Sequence, residues 1–482
     1  MNKYFFALSL SLLTQLTYSQ ATYSINDVIQ MVVSQSPVFK QAQTQRETSY
    51  WQYRSFRTNY NPQLRLSGSA PSYTNSITPI RQPDGTIVYI PINQTNPNLN
   101  FGLQQPIPWT GGQISVNTGY NYFNDQIQKK TQWNGQVMNI FLNQPVFSYN
   151  QLKWDKKTKP IVFEESKRQY AQQLEAISQE AASRFFDVLT AQVNEQIANF
   201  NLANNDTIHK IETGRYNIGT TSQDKLLQVE LQLLRSRSDV ASAKLDLQLK
   251  MLALRSYIGI KDGETFNLTM PEDVPPFVVS EEEAMNYAKR NRAEYIAFAR
   301  RRLEAEAIVA QAKGQRYQTN ITAQYGLNNL GASVSDLYVN PSKQQLFNVS
   351  FNVPIIDWGV RRANTQTAIA TKKLNDFTIA QDEVNFEQEV LTQVRQFDLL
   401  RLQIEITKKS DEVAQERYMV AQNRYLIGKI DITNLNIALQ EKDNAKRAYL
   451  LALKSFWTSY FNLRRLTLYD FATGQQLYQQ SE

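Results

Sequence analysis

Short stretches of the chain alternate apolar and polar residues with a period of two. The clearest is 347–353, where Phe, Val, Phe and Val alternate with Asn, Ser and Asn. The runs 64–67 and 99–104 show the same alternation, 138–143 shows it less cleanly, and 114–122 is also strand-like. Because successive side chains of a strand point to opposite faces, this pattern predicts strands with one apolar and one polar face. Such a sheet could meet lipid on one face and water on the other, although an antiparallel soluble sheet has the same pattern.

Two much longer stretches have the character of helices. Residues 161–216 contain no Pro, and residues 361–425 contain neither Gly nor Pro. At 1.5 Å per residue these predict helices of roughly 80–100 Å, far longer than the helices of ordinary globular domains. Apolar residues recur every seven positions, which predicts left-handed coiled-coil packing; they are Leu226, Leu233, Val240, Leu247, Leu254, Val390, Phe397 and Ile404. The other helix faces are polar, which favours a hollow tube with water on both sides over a filled rod.

The order of these elements occurs twice. Arg215–Gly219 returns as Arg424–Gly428, and Pro145 returns as Pro354, both pairs at an offset of 209 residues. A constant offset across two motifs indicates duplication of a whole structural unit. Each glycine is expected to end a long helix in a tight turn, since glycine readily adopts positive φ.

The duplication gives a division of the chain into segments. We expect a signal peptide at 1–19, a first repeat at 20–260, a linker at 261–280, a second repeat at 281–466 and a C-terminal tail at 467–482. Each repeat is expected to contain an initial helix, ending near Tyr60 or Tyr317, and then strands and a helical hairpin. The strands should occupy about 62–146 and 318–355, and the hairpins about 150–260 and 359–466.

Aromatic residues cluster where the predicted strands end. They are Trp109, Tyr149, Trp154 and Trp358. Tryptophan and tyrosine favour the bilayer–water interface because an apolar ring carries a polar group that needs a wet partner. Ordinary packing beneath a strand end is the alternative interpretation.

The N-terminus indicates export. Lys3 precedes an apolar run at 4–13 and small residues near 19, which is the pattern of a secretory signal peptide and too short for a spanning helix. A retained interfacial helix is the alternative. No later stretch is apolar enough to cross a bilayer as a helix. Because the chain has no cysteine, neither disulfides nor cysteine-linked lipid can stabilise or anchor it.

Composition excludes several functions. The net charge is +7, but basic and acidic residues are interleaved, so no nucleic-acid partner is expected. His209 is the only histidine and no phosphate-binding loop occurs, so we predict no catalytic residues, no metal site and no cofactor. An exported enzyme is therefore disfavoured.

The residues resemble the TolC family of outer-membrane efflux proteins over about 24–466. The resemblance rests on the duplicated Arg-Tyr-x-Ile-Gly motif, the strand-ending segment Pro354–Gly359 and the signal peptide. It implies a mostly α, α+β chain with two internal repeats. Three such chains would form an outer-membrane β-barrel continuous with a long periplasmic α-helical barrel of coiled-coil hairpins.

The resemblance also implies partners and site residues. The protein would be a homotrimer in outer-membrane lipid that works with a periplasmic adaptor protein and an inner-membrane pump. Gly219 and Gly428 would contact the adaptor at the helix tips. Arg215, Tyr216, Arg424 and Tyr425 would form the inter-helix contacts that close the entrance, and opening would splay the tips.

The sequence departs from the family pattern at the entrance. Family members often carry aspartates six and nine residues after the second glycine, where this chain has Asn434 and Ile437. The nearby acidic residues are Asp224 and Asp431. Together with Asn434 they are the candidates for a polar lining of the entrance. Asp431 is equally suited to capping a helix, as are Thr221 and Ser222.

The strand region also departs from the pattern, because Tyr60 and Pro145 are much further apart than Tyr317 and Pro354. The excess length predicts four strands in the first repeat and two in the second. The additional strands would form either a larger barrel or an extended extracellular hairpin. The expected function is the exit duct of a tripartite efflux system. An exit duct for type I protein secretion and a non-conducting coiled-coil structural protein are the alternatives.

Overall fold

The computed structural model describes residues 21–260, 266–271, 274–315 and 318–478. The expected signal peptide and Tyr317 lie outside these residues. The helices are α1 (Ile25–Gln35), α2 (Pro37–Thr58), α3 (Gln151–Asn217), α4 (Gln223–Ile258), α5 (Glu281–Asn291), α6 (Ala293–Gly314), α7 (Val360–Leu426) and α8 (Ile432–Thr467). The strands are β1 (Ala21–Tyr23), β2 (Gln63–Ser69), β3 (Tyr73–Arg81), β4 (Ile87–Thr95), β5 (Asn98–Ile107), β6 (Gly112–Asp125), β7 (Lys130–Val146), β8 (Phe266–Leu268), β9 (Gln318–Gly331), β10 (Ser342–Asn352), β11 (Tyr469–Asp470) and β12 (Gln475–Gln476).

The initial helix of each repeat is broken once, where the sequence predicts one continuous helix. Ser36 is extended, with φ −63° and ψ 151°, because it precedes Pro37. Pro37 then starts α2, a position where its missing N–H is harmless. In the second repeat Arg292 is extended in the same way, with φ −71° and ψ 143°.

The long helices α3 and α7 each contain 67 residues, and α4 and α8 return after short turns with 36 residues each. Pro160 lies inside α3. The two helical hairpins of the sequence-based prediction are thus present.

Eight strands form one antiparallel sheet. Six lie side by side in the order β2, β5, β6, β7, β9, β10. The hairpin of β3 and β4 joins this sheet through two residue pairs with β6, Gln94 with Asp125 and Thr95 with Asn124. The first repeat therefore supplies four strands to the row and the second supplies two, as the excess length predicts, and the β3–β4 hairpin is additional.

The chain forms two compact units. The first contains the described residues up to Thr44, Tyr170–Asn291 and those from Glu389 onward. Its core includes a cluster drawn from α3, α4, α7 and α8, namely Ile208, Val229, Tyr418, Tyr425, Ile432, Leu435 and Leu439. The second contains Gln45–Gln169 and Arg292–Gln388, with the sheet and the helix ends that adjoin it.

Two segments outside the helices are ordered parts of the first unit. In the expected linker, β8 pairs in parallel with β1. In the expected tail, β11 pairs with β12, and Leu468 is completely buried. Within the described chain, no helix is both long enough and apolar enough to cross a membrane.

Candidate functional site

The two helix tips have the same backbone geometry. Gly219 has φ +75°, its N–H donates to the Tyr216 carbonyl at 2.9 Å, and the next N–H reaches the Arg215 carbonyl. Gly428 has φ +74° and the same 2.9 Å bond, to the Tyr425 carbonyl. This is a helix C-cap that ordinary residues adopt only with strain. A Cβ added to either glycine would meet no atom within 4 Å, so both tips are open on the outside.

A buried carboxylate joins the two tips. Glu212 is 3% exposed, and its Oε1 accepts the Tyr425 hydroxyl at 2.6 Å and the Arg215 Nη1 at 2.7 Å. The Arg215 guanidinium also lies 5.2 Å from the centre of the Tyr425 ring and donates to the Tyr425 carbonyl at 3.4 Å. We call Glu212, Arg215 and Tyr425 the tip network. It ties the end of α3 to the end of α7.

The protonation of the tip network is fixed near neutral pH. Burial would raise the pKa of Glu212, but hydrogen bonds from Tyr425, Arg215 and Thr221 outweigh it and hold that pKa below its ordinary value. Burial, and then the bond to Glu212, raises the pKa of the Tyr425 hydroxyl. The carboxylate is therefore charged and the phenol keeps its proton.

The tip network is asymmetric, although the tip backbones match. Tyr425 is 2% exposed, whereas its counterpart Tyr216 is 41% exposed. Arg424 is also exposed. Of the four residues expected to make entrance contacts, the structure brings Arg215 and Tyr425 together and leaves Tyr216 and Arg424 on the surface. The reason is Glu212, whose counterpart at the 209-residue offset is Ala421.

The polar residues expected at the entrance have identifiable local contacts. Asp431 is the N-cap of α8: its Oδ1 accepts the Asn434 N–H at 2.9 Å and the Asn434 side-chain amide at 2.8 Å. Ser222 caps α4. The predicted caps Asp431 and Ser222 are confirmed, whereas Thr221 is not the capping residue of α4. Asp224 lies in the first turn of α4 and is exposed.

A cavity of about 570 Å³ opens beside the tip network. Charged and polar side chains from both tips line it, among them Glu212, Arg215, Lys225, Lys429, Asp431 and Asn434. Three basic and two acidic residues share this lining. The lining of this cavity therefore carries charges of both signs. It differs in this from the acidic ring expected from the resemblance to the TolC family.

The sheet separates apolar from polar residues across five of its six adjacent strands, and the apolar row ends in a glutamine on β10. One row of directly paired residues contains Leu64, Leu103, Val116, Ile140, Tyr325 and Gln345. The adjacent row, on the opposite face, contains Arg65, Gly102, Asn117, Asn139, Gly326 and Gln344. Since paired residues share a face, one side of the sheet is mostly apolar and the other is rich in amides.

The predicted interfacial aromatics lie in the connections at the helix-side ends of the strands or in the first turns of α3. Trp109 occupies the β5–β6 turn and is 81% exposed, and Trp358 precedes α7 and is 94% exposed. Tyr149 lines a polar cavity of about 450 Å³. Trp154 lies in the first turns of α3, half-buried beneath the Lys157 ammonium. Two of the four residues thus present large free apolar surfaces, and two are partly packed.

Two polar side chains start the long helices at this junction. Asn150 accepts the Lys153 N–H at 3.0 Å and donates to the Trp109 carbonyl at 3.1 Å. Asp357 accepts the N–H groups of Gly359 and Arg361 at 2.9 and 3.2 Å. The strand ends, the exposed tryptophans and the helix starts therefore form one connected region in each repeat.

The described residues contain no group of three or more His, Asp or Glu side chains placed to hold a metal ion. Glu212 is the functional candidate that the sequence did not suggest. The signal that could have found it is a residue-by-residue comparison of the repeats. Glu212, three positions before Arg215, is charged, whereas the equivalent residue of the second repeat is Ala421.

The fold and the two sites define a class: mostly helical proteins in which two repeats each join antiparallel strands to a long helical hairpin. The model of the family described as "Outer membrane efflux protein" matches residues 28–260 and 285–467. The chain belongs to the outer membrane efflux protein family.

Solved channels share the fold at low sequence identity. The CmeC outer membrane channel of Campylobacter jejuni is 16% identical with a TM-score of 0.65, covering 95% of this chain and 87% of that one. The outer membrane protein VceC of Vibrio cholerae is 15% identical with a TM-score of 0.61, covering 94% and 97%. The MtrE outer membrane channel of Neisseria gonorrhoeae, in its open state, is 14% identical with a TM-score of 0.58, covering 92% and 88%. A search of curated protein sequences finds no match.

Proposed function

We propose that this protein is the outer-membrane exit duct of a tripartite efflux system. It would pass small molecules from an inner-membrane pump and a periplasmic adaptor protein to the outside. The observation that carries the proposal is the two-faced sheet joined to two long helical hairpins with open, matching tips. A mostly apolar face suits lipid, and an amide-rich face suits a water-filled pore.

The exposed tryptophans support a position in the outer membrane. Trp109 and Trp358 lie at the helix-side ends of the strands, with little of either ring covered. An exposed indole is favourable at the level of the lipid headgroups. The helical hairpins would then lie on the periplasmic side.

Uncovered apolar stripes support a homotrimer. On α4, and on the part of α7 that belongs to the first unit, a row of large apolar side chains is at least half exposed. Successive members of each row are three, four, seven or eleven residues apart, so they lie on one helix face. They are Leu227, Leu231, Leu234, Leu245, Leu249 and Leu252 on α4, and Leu399, Leu402, Ile406, Val413 and Val420 on α7. Coiled-coil spacing on a bare helix face requires a partner helix, and the stripe of a neighbouring copy matches it. In the predicted α4 seam, by contrast, Leu233 and Leu254 are buried. The other three seam residues, Leu226, Val240 and Leu247, are half-buried.

Ion conductance of the purified protein in planar bilayers tests the duct. We expect stable conducting steps, because three copies would enclose a wet, amide-lined path. A non-conducting coiled-coil structural protein would assemble but give no steps, and that result would refute the proposed function.

The tip glycines provide the test of the adaptor contact. Gly219→Leu and Gly428→Leu are each expected to abolish efflux while leaving export and trimerisation intact. The reason is that the added side chain points into open space where the adaptor would dock. The measurement is rescue of drug resistance in cells that lack the wild-type gene, together with native size after extraction.

Gly474→Leu is the matched control. Gly474 also has positive φ, +70°, and a Cβ there would meet only the Tyr469 hydroxyl at 3.7 Å. Its backbone strain, about 1–2 kcal/mol, is therefore comparable. Full rescue by both tip variants would refute the adaptor assignment, as would equal failure of the control.

A further inference from the structure

The hairpin formed by β3 and β4 projects from the sheet as a two-stranded ribbon. Within it, nine residue pairs run from Tyr73 with Thr95 to Arg81 with Ile87. Only its base contacts β6, and β6 itself ends at Asp125, paired with Lys130. The Asn93 carbonyl accepts the Gln126 N–H of the β6–β7 turn at 2.9 Å. Residues 87–92 of β4 continue beyond this last bond, a distance of about 20 Å at 3.3 Å per residue. We call the segment 73–95 the ribbon.

The outer half of the ribbon is mostly apolar on both faces, with Arg81 on one face and Thr78 on the other as the exceptions. Paired residues share a face, so the register assigns each side chain. Face A carries Ile77, Ile87 and Tyr89, which are 69%, 59% and 68% exposed. Face B carries Ile80, Val88 and Ile90, which are 42%, 43% and 37% exposed.

A ribbon of this kind requires cover. An isolated two-stranded hairpin is at best marginally stable in water, because neither face has a layer to pack against. Six large apolar side chains on so small an element also form an exposed patch of the kind that marks an interaction site. The ribbon has two apolar faces, so a partner on one side would leave the other side bare.

Lipid does not fit as the cover. The inner part of the ribbon, between the outer half and the mostly apolar face of the sheet, is mostly polar. Besides Tyr73 and Ile92 it contains Thr74, Asn75, Ser76, Asn93 and Gln94. Immersing the outer half in the bilayer would carry these amides and hydroxyls into the same environment without partners.

Edge-to-edge strand addition does not fit either. Pro79 lies within β3 and Pro91 within β4, so each strand lacks a backbone donor near its middle. Proline at such positions blunts a strand edge against further pairing. The ribbon is therefore suited to packing by its faces.

We propose that the ribbons of three copies pack on one another, face A of each against face B of the next. This arrangement rests on the homotrimer of the proposed function. A contact between two different surfaces closes into a ring when the rotation between copies is one third of a turn. Threefold symmetry gives each ribbon two neighbours, which is what its two apolar faces require. The ring lies on the side of the sheet away from the helices, at the outer mouth of the duct.

Cysteine cross-linking tests the ring directly, because the chain has no cysteine of its own. Ile77→Cys places a thiol on face A, and Val88→Cys places one on face B. The two lie on opposite faces of one ribbon, so they cannot bridge within a chain. Purified protein carrying both would be treated with a short bifunctional thiol reagent and run under denaturing conditions.

The single variants are the matched controls, since one thiol per chain can join at most two chains. We expect covalent trimer from the double variant and no species beyond dimer from either single variant. Ile87→Cys with Ile90→Cys probes the same two faces and serves if the first pair fails to assemble.

The outcomes separate the ring from the trimer on which it rests. Native protein that is trimeric in detergent, with a double variant that stops at the dimer like the single variants, would overturn the ring and leave the proposed function standing. Native protein that is not trimeric would contradict the homotrimer itself.

Discussion

A Glu212→Ala variant is expected to leave the helix tips more often open, with a higher mean conductance in planar bilayers. The substitution removes the acceptor at 2.6 Å from the Tyr425 hydroxyl and at 2.7 Å from the Arg215 guanidinium. Leaving partly buried donors unpaired costs about 1–3 kcal/mol. If the tip network holds the closed state, that cost shifts the ratio of closed to open tips by about 5- to 150-fold.

Tyr216→Phe is the control for this variant. Tyr216 is the counterpart of Tyr425 in the other repeat, but it is exposed. The counterpart of Glu212 in that repeat is Ala421, which has no carboxylate. We expect its conductance to equal that of the wild type. Identical traces from Glu212→Ala and Tyr216→Phe would show that the tip network does not control closure.

The tip network should also weaken in acid. The pKa of Glu212 is lower in the folded protein than in an unfolded chain. The contribution that we propose for it in the closed state is therefore fully present above the ordinary glutamate pKa and is lost as the pH falls through the lowered value. Conductance of the wild type should rise on acidification below about pH 4, and Glu212→Ala should not show this rise.

Sequence reasoning reached the repeat, the tip turns and most strands because those features depend on local residue types. Gly219 and Gly428 are recognisable since each follows the same motif and must adopt positive φ. The strand 347–353 is recognisable because its apolar and polar residues alternate, as expected when the two faces of a strand lie in different environments. Strand β10 covers most of it.

The parts that sequence reasoning missed depend on contacts between distant segments. Glu212 resembles any surface glutamate of a long helix, and only its burial against Tyr425, more than two hundred residues away, distinguishes it. Strands β3 and β4 are interrupted by Pro79 and Pro91, which argue against strands by local rules. The residues after Thr467 were expected to form a tail, yet Asp470 is buried. It lies beside a positive charge on α8.

That charge, Arg464, gives the largest expected effect on stability. Its Nε lies 2.8 Å from Glu175 Oε2, its Nη2 donates to Glu175 Oε1 at 2.9 Å, and its Nη1 lies 3.5 Å from Asp470 Oδ2. Both carboxylates are more than nine-tenths buried. Arg464→Met keeps the apolar stem but leaves two buried negative charges without their cation. Loss of one partner from such a group costs about 3–5 kcal/mol.

The measurement is the apparent midpoint of thermal unfolding, followed by far-ultraviolet circular dichroism in detergent. Arg395→Met is the control, because its ion pair with Glu281 is exposed at both ends. Such a surface pair contributes no more than about 1 kcal/mol. Equal midpoints for the two variants would contradict the structural role of Arg464.

The pH dependence of the Arg464→Met variant separates a lost charge from a lost side chain. Burial already raises the pKa of Glu175 in the wild type, against the opposing effect of Arg464. Without Arg464 that pKa rises further, so the folded variant binds more protons than the unfolded chain in weak acid. Its stability then increases as the pH falls, which is the sign for an acid whose folded pKa is raised. The deficit relative to the wild type should therefore be largest near pH 8 and shrink toward pH 5. A deficit that is the same at both pH values would mean that Arg464 acts through its packing on Tyr460 and Phe461 rather than through its charge.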